Sequence, residues 1–168
     1  MNTMNVALTN LGQYNEGKLK FTWVSLPNTV ENIQQAFKEI EVAPHTRYEE
    51  YFFTDWENEI QGIGICEYMN IYRLNDKLTQ IEQLIEEYDE SHVLAVIEVH
   101  GYTDNIEEII DNTYLIEGDS PEDLAYHFAE QGLIEIPDHL TYYFDYEKYG
   151  RDLSFDYDYT DFGYLSNY

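Results

Sequence analysis

Between Asp104 and Asp123 the chain places eight carboxylates in twenty residues, with no Lys or Arg among them. They are Asp104, Glu107, Glu108, Asp111, Glu117, Asp119, Glu122 and Asp123. Through the first half of the stretch Ile106, Ile109 and Ile110 recur at the spacing of one helix face. That combination restricts the fold. An acidic tail without apolar partners stays disordered. Acids interleaved with a periodic apolar row instead predict a helix that buries one side and turns its carboxylates to water. The stretch is therefore a folded negative surface. Glu82, Glu86, Glu87 and Asp89, in the helical pattern upstream, are further candidates for the same collective surface.

The chain as a whole follows this pattern. Of 168 residues, 34 are acidic and 8 basic, a formal charge of −26, yet 43% are hydrophobic and 16% aromatic. Enough apolar side chains are present to build cores, so the protein folds in spite of heavy self-repulsion. Nucleic acid is excluded as a direct partner, because phosphate contacts need Lys and Arg. Anionic membranes are excluded by the same charge, and the longest apolar runs, such as Val93–Ile97, are far too short for a bilayer span. Met1-Asn-Thr-Met-Asn has no basic region and no apolar signal stretch. With Cys66 alone, no internal disulfide is possible, and a cytoplasmic protein is expected.

Read in order, the chain predicts an α+β fold in three small domains. Residues 1–61 form the first, an α+β unit. Met4–Thr9 reads as a strand, Asn10–Gly17 as a loop of turn formers, and Lys18–Leu26 as a strand with Leu19, Phe21 and Trp23 in one phase. A helix capped by Asn28, with Glu31 completing a capping box, runs to about Ile40 and buries Val30, Ile33, Phe37 and Ile40. Tyr48–Trp56 is a third strand. Residues 62–102 form a helical domain, joined through Gly62 and Gly64. Its pattern gives helices over Glu67–Leu78 and Thr79–Tyr88. Ser91–Val99 has the β-branched residues of a strand, but Ser91 can cap, and a helix is expected.

Residues 103–168 form an acidic α+β domain with 17 acidic and 2 basic residues. After the acidic helix, Thr113–Ile116 reads as a short strand. Ser120-Pro121-Glu122-Asp123 is a strong helix start, carrying Leu124, Ala125, Phe128 and Ala129 inward to a stop at Gly132. His139–Tyr149 suits helix or strand, and Phe155–Tyr159 with Gly163–Ser166 reads as a closing hairpin. Tyr142, Tyr143, Tyr146, Tyr149, Tyr157, Tyr159, Tyr164 and Tyr168 crowd this part. They exceed what a core of this size takes, so Tyr142, Tyr143, Phe144 and Tyr146 are candidates for a dimer interface.

Chemical motifs are absent. Counting an EF-hand loop from Asp156 puts Asp161 where Gly is needed and Asn167 where Glu is needed. His45, His92, His100, His127 and His139 form no His-Glu-x-x-His pattern, and Asp89-x-x-His92 would need a second such motif for a di-metal site. There is no Gly-rich phosphate loop and no nucleophile elbow. Carboxylate pairs abound in any acidic chain and mark no glycosidase. No catalytic residue, metal or cofactor is assigned, and the chain is not expected to be an enzyme.

Charge itself remains as the functional feature. Duplex DNA carries one negative charge per about 1.7 Å, so 26 excess negatives match roughly 40 Å of duplex. An elongated acidic protein could occupy a groove built for DNA, assisted by counterion release. The sequence also resembles the ArdA-type antirestriction proteins. The likeness rests on Leu11-Gly-Gln-Tyr-Asn-Glu-Gly-Lys18 followed by Thr22-Trp23-Val24, on Tyr51-Phe-Phe-Thr-Asp-Trp-Glu57, and on Tyr149-Gly-Arg-Asp-Leu153 with Gly163-Tyr164 behind it. The resemblance implies an elongated, three-domain, dimeric mimic of bent B-form DNA. It further implies that the protein is encoded on mobile elements and blocks type I restriction–modification enzymes, chiefly at their methyltransferase core. The alternatives from other classes are an acidic adaptor covering a basic protein and a cation-binding protein.

Overall fold

The computed structural model describes residues 4–167, which leaves Tyr168 of the crowded tyrosines outside the described residues. The fold is α+β, with seven α-helices and two three-stranded antiparallel sheets among the described residues. The chain divides into two compact units, Met1–Gln83 and Leu84–Tyr168.

The first unit is built on strands β1 (Met4–Asn10), β2 (Phe21–Leu26) and β3 (Tyr51–Asn58), with β1 in the middle. Met4, Val6 and Leu8 alternate on one face of β1, opposite Leu26, Val24 and Thr22 on β2. Helix α2 (Val30–Glu39) lies on this face and buries Ile33 and Ala36, with its cap Ile40. β2 forms within the expected Lys18–Leu26 stretch, starting at Phe21, and the phase that goes inside is Val24 and Leu26. Leu19, Phe21 and Trp23 are exposed on the other phase, since α2 packs on the face that Val24 and Leu26 share with Val6 and Met4.

Three local expectations shift. Asn10–Gly17 is not a plain loop. Asn10 is fully buried and its carboxamide oxygen accepts the N–H of Gln13 at 2.8 Å, which starts helix α1 (Leu11–Asn15). Its amide nitrogen donates to the Ile40 carbonyl at 2.8 Å and ties α1 to the end of α2. Helix α2 is capped by Thr29, one residue later than expected, and Asn28 instead accepts the N–H of Thr29. Val30 is then exposed and Phe37 half-buried, while Ala36 takes the inward place. Finally, Glu67–Leu78 and Thr79–Tyr88 are not two helices. They merge into one, α3 (Ile71–Glu87), whose start is capped by Asn70. Ile71, Leu74, Leu78 and Ile81 make its buried stripe. The division between the units falls inside α3.

The second unit begins with the end of α3 and with α4 (Glu90–His100), helical as expected but capped by Asp89, which accepts the N–H of His92 at 3.0 Å. Val93 to Ile97 are buried in succession, the mark of a helix surrounded on all sides. Around it lie α5 (Ile106–Asn112) and a sheet in the order β4 (Leu115–Ile116), β6 (Gly163–Ser166), β5 (Tyr157–Thr160). The expected closing hairpin is β5–β6, and β6 takes the centre by also pairing with β4. Helix α6 (Pro121–Glu130) starts on a Ser120–Asp123 capping box and α7 (Tyr146–Leu153) packs against it. The region left open as helix or strand is a 3-10 turn, Thr141–Tyr143, followed by α7. Ile116, Leu124 and Tyr164 form the local core, with Phe128, Leu153 and Tyr157 against it.

An acidic surface as the candidate functional site

Charge is divided unevenly between the units. Met1–Gln83 carries 12 acidic and 6 basic residues, whereas Leu84–Tyr168 carries 22 acidic and 2 basic ones, Lys148 and Arg151. All 22 acids of the second unit are exposed except Glu98, which is half-buried. Arg151 is engaged by Glu147 one turn earlier in α7, so even one of the two cations is neutralised within its own helix.

The elements fix where these carboxylates point. Ile106, Ile109 and Ile110 are buried in α5, each worth roughly 1.5–3 kcal/mol of apolar transfer. The same periodicity turns Glu107, Glu108 and Asp111 to water. Many acids also sit where a helix favours negative charge. Glu90, Glu107 with Glu108, Glu122 with Asp123, and Glu147 occupy the first turns of α4, α5, α6 and α7. Each such placement contributes about 0.3–1 kcal/mol against the repulsion between neighbours.

Two groups of candidates come together around tyrosines. Burial of the Tyr88 ring, then the charge of Asp111 and Glu87, a hydrogen bond donated to Asp111, and Glu107, raise its phenol above the ordinary value. Tyr102 is raised by burial and by Asp104 and Glu107. Glu87, Asp104, Glu107 and Asp111 therefore form one group, with Glu107 common to both rings. The second group lies at the start of α6. Tyr126 is raised by burial and then by Glu122, with Asp123 contributing, and Tyr164 by burial with smaller effects from Asp123 and Asp119. Beside it, Glu117, Asp123 and Glu130 line an open cleft of about 460 Å³ with His127 and Tyr126.

The remaining candidates are scattered or differently employed. Glu86 and Glu108 are exposed outside these groups. Glu82 belongs to the first unit, is only half-exposed, and keeps one carboxylate oxygen out of water without a hydrogen-bond partner. Asp89 is also the N-cap of α4, and Asp123 is the returning acid of the capping box that Ser120 opens at α6. Of the aromatic candidates, Tyr142 and Tyr143 are 92% and 79% exposed. Phe144 and Tyr146 pack within the unit, Tyr146 stacked on Tyr126 at 4.2 Å and Phe144 against Tyr146 and Tyr149. Sequence reasoning did not single out Glu98, whose carboxylate accepts the N–H of Asp161 at 3.1 Å and clamps the β5–β6 turn to α4. The partner lies 63 residues away, so no local signal pointed to it. Among the described residues no group of three or more His, Cys, Asp or Glu is arranged to hold a metal ion, and no helix is long and apolar enough to cross a membrane.

A surface of this kind can attract and cover a cationic partner. The family described as Antirestriction protein (ArdA) matches the chain over residues 6–166. The chain belongs to the ArdA family. No curated protein matches it. ArdA proteins are antirestriction factors that interact with restriction–modification enzymes as inhibitors, and theirs is not a known enzyme family. The ArdA match spans both units, so the acid-rich unit and the milder first unit are parts of one family architecture.

Proposed function

We propose that the protein is a mimic of B-form DNA that occupies the DNA-binding groove of type I restriction–modification enzymes and blocks them by competition, chiefly at the methyltransferase core. One observation carries this reading: the second unit holds 22 acids against 2 cations, with 21 of those acids exposed on a folded frame. An excess of 20 negative charges equals that of about 10 base pairs of duplex. The enzyme's groove is built to gather such charge, and a rigid carboxylate array loses little conformational freedom on entering it. The reading keeps the division at residues 1–61, 62–102 and 103–168, a dimer joined through the exposed Tyr142 and Tyr143, and action in the cytoplasm of a cell that receives a mobile element.

Competition decides the matter. A purified type I restriction–modification enzyme is mixed with labelled duplex bearing its site, and the protein is titrated in. Mimicry requires full displacement of the duplex and mutual exclusion of the two ligands. A ternary complex of enzyme, duplex and inhibitor would favour an acidic adaptor bound elsewhere.

A further inference from the structure

Glu98 is the one acid of the second unit that is not exposed, and it stands where a helix disfavours it. It lies in the last turn of α4, the end at which the backbone dipole repels negative charge. Its partner, Asp161, carries a negative charge of its own, and Asp158 precedes it by three residues on β5; both are exposed. A carboxylate placed against these influences is held there by something else. Its two oxygens lie 3.1 and 3.4 Å from the backbone nitrogen of Asp161, whose N–H they accept across 63 residues of chain.

The turn that supplies this N–H is otherwise closed from within. β5 and β6 pair as far as Thr160 with Gly163, so Asp161 and Phe162 are the two residues of the turn. The buried Thr160 hydroxyl accepts the N–H of Phe162 at 3.1 Å and donates to the Gly163 carbonyl at 3.0 Å. Gly163 backs onto the Ile116 carbonyl of β4. The N–H of Asp161 is the turn donor that leaves the hairpin, and Glu98 takes it. β5 is an edge strand of four residues with β6 alone beside it, and hairpin tips of that kind open readily in solution. Glu98 ties this tip to a helix whose residues Val93 to Ile97 are all buried.

We infer that Glu98 is a positioning residue for inhibition: it presents no charge to the restriction–modification enzyme but fixes Asp158 and Asp161 so that both enter the contact already in place. The inference rests on the DNA-mimic reading. A carboxylate on a loose tip must be ordered on binding, and that ordering subtracts from affinity. One acid turned inward thereby keeps two outward acids at fixed positions.

Glu98→Gln (E98Q) and Glu98→Ala (E98A) separate position from charge. E98Q loses the charge, but its amide oxygen still accepts the Asp161 N–H; E98A loses both. Each full-chain variant, checked for folding by circular dichroism, is titrated in the duplex competition with a type I enzyme. The expected result is inhibition within about twofold of wild type for E98Q and weakened about fivefold for E98A. Asp158→Asn with Asp161→Asn should also weaken inhibition, and adding E98A to that pair should cost nothing more, because the three residues act as a unit. Hydrogen exchange at the Asp161 amide should be slow in wild type and E98Q and faster in E98A. Equal losses for E98Q and E98A, wild-type inhibition by E98A, or full additivity in the triple variant overturns the inference. So does an Asp161 amide that exchanges freely in the wild-type protein, which can be read even if E98A does not fold. If the wild-type protein fails to displace duplex DNA, the mimic reading itself falls, and exchange at Asp161 still reports whether Glu98 holds the turn.

Discussion

Gly150 of α7 lies directly against the backbone carbonyl of Pro121 at the first turn of α6, with no room between them for a side chain. A Cβ at position 150 would meet the Pro121 oxygen and carbonyl carbon, and both belong to backbone that cannot swing aside. This glycine sits within Tyr149–Leu153, one of the blocks that resemble the ArdA family, so at this position the block has a packing reason. Gly150→Ala should separate α6 from α7 and lower stability by about 1–3 kcal/mol or more. Denaturant unfolding of the variant would measure it, and an unchanged midpoint would contradict the packing described.

The capping box of α6 should make stability depend on pH. The hydroxyl of Ser120, and then the N–H groups of Asp119 and Ser120, hold the Asp123 carboxyl below its ordinary value against a smaller opposing effect of burial. A depressed folded value stabilises above the unfolded value of about 3.9 and loses that contribution as pH falls through the folded value. Ser120→Ala should cost about 1 kcal/mol near neutral pH. The gap between wild type and variant should narrow below about pH 4. A gap constant from pH 7 to 3 would mean that the carboxylate takes no part.

Inhibition should depend on the acids collectively and on salt. Glu107→Gln or Asp111→Asn alone should change enzyme affinity by no more than a few-fold, because many exposed carboxylates share the contact. Neutralising Asp104, Glu107, Glu108, Asp111, Glu122 and Asp123 together should cost far more and flatten the fall of affinity with salt. Competition titrations at low and high salt would check both. One single substitution that abolished inhibition in a folded protein would point to a specific site.

Self-association should respond to salt in the opposite sense. A dimer joined through Tyr142 and Tyr143 brings two acid-rich units together, so low salt should loosen it and moderate salt restore it. Tyr142→Ser with Tyr143→Ser should lower the sedimentation coefficient without affecting the fold, since both rings project into solvent. A protein already monomeric at micromolar concentration would remove the proposed interface.

How far these elements could be read beforehand depended on the range of the forces that set them. The isoleucine row of α5, the helix start at Ser120-Pro121 and the β5–β6 hairpin are local patterns, and all three form. Exposure of the acids was legible because an unpaired carboxylate is costly to bury. The run Val93–Ile97 was ambiguous because a helix buried on every side has no polar phase. In β2 the alternation was legible, but which phase goes inside was not, since the choice of face depends on where α2 lies; Val24 and Leu26 fill the interior. Asn10 looked like a turn former because its partner at Ile40 is thirty residues away. For the same reason nothing near Glu98 announced its bond to Asp161.

Strand order also bears on how the protein emerges from the ribosome. In the first unit the central strand, β1, is made before its neighbours, so β2 and β3 can each add to a template already present. In the second unit the central strand is β6, the last of its sheet to be synthesised. Until Gly163–Ser166 arrive, Leu115, Ile116 and β5 have no strand to pair with. The acid-rich unit must therefore wait, with its charges unarranged, while the milder unit is already taking shape. A nascent chain halted before β6 would display every carboxylate of α5 and α6 and still lack the sheet that sets them in place.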